Sequence, residues 1–352
     1  MEKKAKNIKE LAAVLGISVT TVSRVLNGKA DKYRISPATG KKVLDAAREF
    51  NYYPNRIARG LRLEKTETLG LIIPDIANPF FSSIAKTIEF ESRRHGYSLI
   101  FCDSLDDIQT ETELLNLLAS RKVDGIVLAP VGQSNKHLMD FLKRGIPLVI
   151  IDRHMPGIPI PYITTDNYSG AVDAMEYLVA SGHRTIACIQ GLRGISVNND
   201  RVRGYRDVLI RNGIPVDNSL ISGDDFGEEN GYIQTRILMS REDPPTAIFA
   251  LSNLISLGVL RAINETGLSI PDDISVVAFD DQPYSSFLAS PMTTVDQPKE
   301  EIAKIAVKVL LDYIRNGSID MDTGIMLKPK LIIRKSVKRI TDRHDQAQRP
   351  HV

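Results

Sequence analysis

The stretch "NIKELAAVLGISVTTVSRVLNGK", residues 7–29, places two short apolar runs on either side of a glycine. The apolar residues of the first run recur at helical spacing: Ile8, Leu11, Ala12 and Leu15. Gly16 follows them at the position where a left-handed residue commonly ends a helix. The pattern therefore predicts a first helix that ends at Gly16.

A second helix is predicted to begin just after this glycine. Ser18 is a good N-cap, and Val22 and Leu26 point inward at a spacing of four residues. Gly28 ends this helix at about Asn27. Two helices joined by so tight a turn form a helix-turn-helix, whose second helix can enter a DNA major groove about 12 Å wide.

A third helix is predicted in "ISPATGKKVLDAAREF", residues 35–50. Ser36 is a good cap, and Pro37 suits the first helical position. The apolar face of this helix consists of Val43, Leu44, Ala47 and Phe50. We expect this face to close a core that two short helices cannot form alone.

The outward face of the second helix carries side chains suited to reading DNA. They are Val19, Thr20, Ser23, Arg24 and Asn27. Arg24 can fork onto the O6 and N7 atoms of guanine, Thr20 and Ser23 can reach base edges or phosphates, and Val19 can touch a thymine methyl group. A plainer alternative is that the three helices belong to the surface of a larger domain.

The charge of the chain is unevenly distributed. Residues 1–66 contain fifteen Lys and Arg against six Asp and Glu, a net charge of +9, whereas the remainder contains thirty against thirty-seven, or −7. A basic head joined to an acidic body indicates that the head contacts a polyanion. The alternative is a solvated lysine-rich terminus.

Length and composition set wider limits. The 352 residues, 43% hydrophobic and 25% charged, indicate a folded protein of two or three domains. The sequence has no apolar run of membrane-spanning length and no recognisable secretion signal, so we expect a cytoplasmic protein without a membrane partner. Cys102 and Cys188 lie inside apolar runs and are expected to be reduced core residues.

The stretch "NYYPNRIARGLRLEKTETLG", residues 51–70, predicts a short helix over about 54–62. Pro54 stops the preceding helix and Asn55 can cap the new one. Such a short helix is marginal in water, so we expect it to form against DNA and a partner copy. Leu61 can act there as a wedge between base steps of the minor groove.

These motifs together resemble the LacI/GalR (lactose-repressor) family of bacterial transcription regulators. The resemblance rests on "ELAAVLGISVTTVSRVLNG" (10–28), "YYPNRIARGL" (52–61) and "TLGLIIPDIANPFF" (68–81), and extends to about residue 337. It implies a homodimer that reads a near-palindromic operator, with Val19, Thr20 and Arg24 as base readers. It further implies phosphate contacts by Asn7, Ser18, Ser23 and Asn27, and insertion of Asn55, Ala58 and Leu61 at the operator centre. Against this resemblance, the segment "KADKYRIS" (29–36), which contains Tyr33 and Arg34, looks longer than the family usually has.

From Thr68 onward, short apolar runs alternate with amphipathic helical stretches in two successive units. This pattern predicts an α/β fold of doubly wound parallel sheets. The resemblance to the LacI/GalR family implies that these sheets form a two-lobed sensor like a periplasmic binding protein. We expect an effector-binding and dimerisation domain over 67–337, with lobe 1 at about 67–165 and 296–326 and lobe 2 at about 166–295 and 327–337. The polar tail, 338–352, lacks heptads, which favours a dimer over a tetramer.

Polar and aromatic residues follow many of the predicted strands. Ligands of such folds bind beyond the carboxyl ends of the strands, where amides, carboxylates and arginines can bond sugar hydroxyls and phenylalanines can cover the apolar face of a sugar ring. Any one of these residues can instead cap a helix. We expect this structural role above all for Asp75, Asp103, Asp166 and Asp281.

The body is also similar to periplasmic sugar-binding proteins, especially those for ribose. The resemblance implies effector contacts by Asn78, Phe80, Phe81, Asp152, Arg153, Arg201, Phe226, Asp280 and Gln297. At Ser252 the family usually has an asparagine followed by an acidic residue, whereas here the amide is at Asn253. Either Ser252 makes room for a larger ligand, or Asn253 turns into the site.

The sequence therefore indicates a sequence-specific DNA-binding regulator, a repressor of carbohydrate-use genes, controlled by a monosaccharide or related ligand. A cytosolic sugar-binding protein without a DNA role stays open, as does a regulator that responds to a purine or a phosphorylated metabolite. No nucleophile elbow, P-loop, dinucleotide turn or metal-ligand spacing is present, so we expect neither an enzyme nor a cofactor. Whether the ligand acts as inducer or corepressor is open.

Overall fold

The computed structural model describes residues 7–52, 65–132, 134–155, 157–320 and 324–340. The chain divides into two compact units, residues 1–66 and 67–352, which we call the head and the body. The expected short helix at about 54–62, with Asn55, Ala58 and Leu61, lies outside the described residues, as does the tail from residue 341.

The head contains the three predicted helices. They are α1 Ile8–Leu15, α2 Val19–Leu26 and α3 Pro37–Glu49. Each begins at a capping side chain, because the oxygens of Asn7, Ser18 and Ser36 accept hydrogen bonds from backbone N–H groups of the first helical turn at 3.0, 3.1 and 3.2 Å. Gly16 ends α1 in the left-handed conformation (φ 64°), as the sequence predicts.

The core of the head differs from the prediction at Leu44. It is formed by Leu11, Ala12, Val22, Val25, Val43, Ala46 and Ala47. Leu26 is partly buried and packs against this core, as expected, whereas Leu44 is 45% exposed. Val25 and Ala46 are buried because each lies three residues after a buried valine, on the same face of its helix.

The body is built on two six-stranded sheets. The first, in lobe 1, has the order β11–β5–β4–β3–β1–β2 and the second, in lobe 2, has the order β12–β10–β9–β8–β6–β7. The strands of lobe 1 are β1 Thr68–Ile73, β2 Ser98–Asp103, β3 Gly125–Leu128, β4 Leu148–Ile151, β5 Tyr162–Thr165 and β11 Gly324–Leu327. The strands of lobe 2 are β6 Ile186–Ile189, β7 Ile221–Ser222, β8 Ala247–Ala250, β9 Ser275–Phe279, β10 Thr293–Asp296 and β12 Lys330–Ile332. All pairings are parallel among the described strands except that of β10 with β12, which is antiparallel and departs from the predicted parallel pattern.

Eight described helices surround these sheets. They are α4 Pro79–Arg94, α5 Ile108–Ser120, α6 Lys136–Leu142, α7 Asn167–Ala180, α8 Ser196–Arg211, α9 Glu228–Met239, α10 Asn253–Thr266 and α11 Lys299–Asn316. Because helices cover both faces, the central strands are buried along their whole length. Cys102 and Cys188 are free and buried, as expected.

The first turn of α8 is bonded to the loop before it. The helix begins at Ser196. Asn198 and Asn199 accept hydrogen bonds from Gly191 N–H and Gly194 N–H at 2.9 and 3.2 Å and so fasten the preceding loop to the helix.

The chain passes between the two sheets three times. It leaves the first sheet after Thr165, returns between β10 and α11, and leaves again between β11 and β12. Each crossing lies within a few residues of the expected positions, near Thr165, Val295 and Met326. Three connecting segments of this kind can act together as a hinge.

Candidate functional site

The head presents the outward face of α2. Val19 is 40% exposed and Thr20 is also exposed, whereas Ser23, Arg24 and Asn27 are partly exposed. All five lie away from the buried Val22 and Val25. Asn27 is held in place because its Nδ2 donates to the Ser23 backbone oxygen at 2.6 Å.

Two of the expected phosphate-contacting residues are helix caps. Asn7 caps α1 and Ser18 caps α2, so each lies where the free backbone N–H groups of a helix N-terminus are exposed. The positive end of a helix dipole favours an anion at such a position. Their side-chain oxygens are therefore occupied by capping bonds, and the helix N-termini themselves offer the donors.

The body contains a cavity of about 380 Å³ beyond the carboxyl ends of the strands. Its lining includes every effector residue named from the sequence: Asn78, Phe80, Phe81, Asp152, Arg153, Arg201, Phe226, Ser252, Asn253, Asp280 and Gln297. Six of them come from lobe 1, namely the first five and Gln297, and the other five come from lobe 2. The volume lies at the small end of the usual range for ligand pockets, about 300–1,000 Å³.

The sequence did not single out several other lining residues. They are Pro74, Leu105, Asp106, Val197, Asp225, Gly227 and Leu254. Most of them lie in loops or first helical turns, outside the strand ends that guided the prediction. The two carboxylates in this set, Asp106 and Asp225, could have been suspected only from their nearness to Asp103 and Phe226 in the chain.

Two buried arginines organise the cavity. Arg201 donates from Nε to Asn167 Oδ1 at 2.8 Å and from Nη1 to the Leu251 backbone oxygen at 2.5 Å. Its guanidinium carbon lies 3.8 Å from the centroid of the Phe279 ring. Arg153 donates from Nη1 to the Pro130 backbone oxygen at 3.0 Å. These contacts fix both positive charges before any ligand binds.

Two buried aspartates face the arginines, one from each lobe. Asp152 follows β4 and Asp280 follows β9, and both have left-handed backbone conformations, with φ values of 65° and 73°. Non-glycine residues in this conformation are strained, and such residues cluster at functional sites. Burial raises the pKa of Asp152 to about 6, although Arg153 and Arg201 act against this rise. Burial likewise lowers the pKa of Arg201.

The departure at Ser252 and Asn253 has a structural explanation. Ser252 caps α10, because its Oγ accepts from Ile255 N–H at 3.1 Å and donates to the Phe226 backbone oxygen at 3.0 Å. Asn253 turns toward the cavity and donates from Nδ2 to Oδ1 of Asn78 in the other lobe at 2.9 Å. Of the two alternatives, the structure therefore favours the one in which Asn253 enters the site.

Two polar atoms of the cavity residues have no hydrogen-bond partner among the described residues. They are Asn253 Oδ1, an acceptor, and Arg153 Nε, a donor. Leaving such a buried atom unpaired costs about 1–3 kcal/mol. A ligand that supplies a donor to the first atom and an acceptor to the second would recover this cost.

The four aspartates expected to be structural do make structural bonds. Asp75 accepts from Ala77 N–H, Asp103 from Ile76 and Leu105 N–H, and Asp166 from Ser169 N–H. Asp281 forms a two-pronged ion pair with Arg334, at 2.7 and 3.0 Å. Asp75 also lines the cavity.

None of the described helices combines the length and apolar character that a membrane crossing requires. The described part of the chain likewise contains no group of three or more His, Cys, Asp or Glu side chains that could hold a metal ion.

Comparison with known proteins gives matches over both units. Residues 7–55 match the family model described as "Bacterial regulatory proteins, lacI family", and residues 175–337 match a "Periplasmic binding protein-like domain". The Catabolite control protein A of Priestia megaterium is 32% identical over 332 residues, which cover 94% of this chain and 99% of that protein.

Two solved structures illustrate the likeness of the fold. A lac repressor dimer bound to operator and the anti-inducer ONPF has a TM-score of 0.82 at 26% identity, over 95% of this chain and 100% of that one. A regulator of the same family from Enterococcus faecium with bound ribose has a TM-score of 0.71 at 28% identity, over 78% of this chain and 100% of that one.

Proposed function

We infer the function of this chain from the fact that it belongs to the LacI family of bacterial regulatory proteins. As a member it is a DNA-binding transcription regulator and not an enzyme. We propose that it represses genes for carbohydrate use from a near-palindromic operator, as a homodimer in the cytoplasm. We further propose that a monosaccharide bound in the body changes its affinity for the operator.

Support for the DNA-binding half of the proposal comes from the head. Its net charge of +9 over residues 1–66 supplies the attraction to phosphates that dominates DNA affinity. The exposed face of α2 carries Arg24, Thr20 and Val19, which are the side-chain types that can distinguish base edges. We propose these three as base readers and Asn7, Ser18, Ser23 and Asn27 as the residues at the phosphates.

The proposed homodimer is supported by exposed apolar side chains on the body. Ile233 and Ile237 lie one turn apart on the same face of α9, and both are exposed. Phe90 on α4 and Phe101 on the edge strand β2 are exposed as well. Exposed apolar surface of this kind is typical of protein–protein contacts. The solved lac repressor relative is a dimer on its operator.

The observation that carries the effector proposal is the cavity. Eleven residues from strand ends and helix starts between 78 and 297 meet around one volume of about 380 Å³. Amides, carboxylates and guanidiniums can bond several hydroxyls, and the phenylalanines can cover an apolar sugar face. One family member is known with bound ribose, and a sugar of that size is in keeping with the volume of this cavity.

The charges of the cavity favour a neutral sugar over a phosphorylated metabolite. Five aspartates line it, namely Asp75, Asp106, Asp152, Asp225 and Asp280, against two arginines, Arg153 and Arg201. A phosphate dianion would add negative charge to a lining that already carries an excess of it. We therefore propose an uncharged polyol as the effector.

Both lobes would contact such a ligand, since each contributes residues to the cavity. A ligand held by both lobes stabilises one arrangement of the lobes over others, and it can alter DNA affinity only through this difference. The coupling in such systems is typically about 1–3 kcal/mol.

A thermal-shift panel tests the effector class. The full-length chain is heated with pentoses, hexoses and their phosphates, with an external dye because the chain contains no tryptophan. A sugar at a hundred times its dissociation constant should stabilise the body by about 2.7 kcal/mol. Asn253→Ala should lose this response, whereas Asn264→Ala, an exposed position on the same helix α10, should keep it. A panel in which no uncharged sugar responds would reject the sugar as effector.

A further inference from the structure

The segment between α2 and α3 has a defined fold. Residues Asp31–Tyr33 form a short 3₁₀ turn, which Arg34 ends in the left-handed conformation with φ 52°. The backbone N–H groups of Tyr33 and Ile35 donate to the Ala30 oxygen at 3.2 and 3.0 Å. The turn thus fixes the position of the Tyr33 side chain relative to the end of α2.

The ring of Tyr33 lies beneath the guanidinium of Arg24. The guanidinium carbon is 3.8 Å from the ring centroid, which is van der Waals contact across the face of the ring. Tyr33 is 43% exposed and therefore contributes little to the core of the head. Its ring stacks on an arginine of the outward face of α2.

This geometry leaves the hydrogen-bonding edge of Arg24 free. The five N–H donors of a guanidinium lie in its plane, whereas a stacked ring occupies only one face. Arg24 can therefore stay on Tyr33 while it donates to O6 and N7 of a guanine. An unrestrained arginine side chain has about 2 kcal/mol of rotamer entropy to lose on binding, and a stack formed beforehand reduces that loss.

We propose that Tyr33 is a positioning residue for base recognition, whose ring holds the guanidinium of Arg24 in the orientation that reads a base edge. The proposal rests on the proposed DNA-reading role of Arg24. It gives a function to a residue of the segment 29–36, which lies between α2 and α3 and outside the proposed base readers.

The test begins with a duplex selected by the full-length protein from a random-sequence library. Fluorescence anisotropy then measures affinity for this duplex and for a scrambled duplex of the same length and composition. The variants are Arg24→Ala, Tyr33→Ala, Tyr33→Phe, Tyr33→Leu and the double variant Arg24→Ala/Tyr33→Ala. Lys32→Ala is the matched control, because it removes an exposed charge from the same turn without touching the stack.

Tyr33→Ala should weaken binding to the selected duplex by about 2- to 5-fold, the worth of an exposed cation–π contact, and leave the scrambled duplex unchanged. Tyr33→Phe should restore affinity because it keeps the ring, and Tyr33→Leu should not. In the Arg24→Ala background the loss of Tyr33 should have no further effect. Repeating the selection with Tyr33→Ala should relax the preference at the one base position that Arg24→Ala also relaxes.

Other outcomes overturn the proposal. If the losses from Arg24→Ala and Tyr33→Ala multiply, or if Tyr33→Phe behaves like Tyr33→Ala, the tyrosine contacts DNA through its own hydroxyl. If Tyr33→Leu binds as well as the wild type, the side chain serves only packing, and tighter binding by Tyr33→Ala would mean that the stack withholds Arg24 from DNA. If the wild-type protein selects no duplex at all, the proposed DNA-binding function fails together with the role of Tyr33. The other outcomes contradict the role of Tyr33 alone.

Discussion

The proposed DNA-reading face of α2 and the proposed effector cavity are built in opposite ways. The face takes five residues from α2 and its C-cap, and all five are at least partly exposed. The cavity takes eleven residues spread from Asn78 to Gln297, and nine of them are buried. The exposed side chains of the face therefore have little effect on the free energy of unfolding. The cavity holds buried charged groups, which need hydrogen bonds and opposite charges from the rest of the fold.

This contrast predicts where substitutions affect stability. Changes in the cavity should alter the free energy of unfolding of the body, because buried charges depend on one another. Changes on the face of α2 should alter DNA affinity and leave stability nearly unchanged. The predictions below test this division, from the largest expected effect to the smallest.

Arg201→Met should cause the largest loss of stability. It removes a buried positive charge that faces Asp152 and Asp280, and it leaves Asn167 and the Leu251 backbone oxygen without their donor. The expected loss is about 3–5 kcal/mol in the free energy of unfolding, measured by urea denaturation. Arg203→Met, on the same helix but exposed and paired with Asp200 at 3.0 Å, should cost less than about 1 kcal/mol. Equal losses in the two variants would contradict the idea that the cavity depends on buried charge.

Asp152→Asn should stabilise the protein at neutral pH. Because the folded pKa of about 6 lies above the ordinary aspartate value of 3.8, the folded state keeps this proton to a higher pH than the unfolded chain does. The carboxyl group therefore lowers stability progressively as pH rises from about 4 to about 6, by up to about 3 kcal/mol.

Urea denaturation at pH 4 and pH 7 measures this effect. The advantage of Asp152→Asn over the wild type should be small at pH 4 and larger at pH 7, and the variant should lose its response to sugar. Asp140→Asn is the control, since a hydrogen bond from Lys143 lowers the pKa of this exposed carboxyl and gives the opposite sign. A stability difference that does not change with pH would show that Asp152 is not held partly protonated by burial.

Leu44→Ala should have the smallest effect, within about 0.5 kcal/mol of the wild type, because the side chain is 45% exposed. Val25→Ala, at a buried position of the same core, should cost about 2 kcal/mol. Amide hydrogen exchange over residues 7–52 measures both in the full-length chain. A larger loss of stability from Leu44→Ala than from Val25→Ala would show that Leu44 belongs to the core, as the sequence pattern predicts.

The sequence alone predicted different parts of the two regions. Helical spacing and capping residues identified α1, α2 and α3, because caps and periodicity are local properties. The same reading placed the exposed Leu44 in the core and missed Val25 and Ala46, since it followed hydrophobicity more than position on the helix. The Arg24–Tyr33 stack depends on the conformation of a turn and has no signal in the sequence.

For the cavity, the rule that ligands lie beyond strand ends brought together residues distant in the chain. It could not identify Asp106 and Asp225, which lie in loops. It also could not predict the left-handed backbone of Asp152 and Asp280, because tertiary contacts and not local propensity fix these angles. The Asn253 side chain faces the cavity while Ser252 caps α10, and the sequence left the roles of these two residues open.

The central claim is that a sugar bound in the body changes the affinity of the head for DNA. The most direct test measures the affinity of the full-length protein for its selected duplex at one fixed salt concentration, with and without the sugar that gives the largest thermal shift. The account predicts a change of about 5- to 150-fold in either direction on the selected duplex, which Asn253→Ala abolishes. An affinity that is the same with and without a saturating sugar would contradict it.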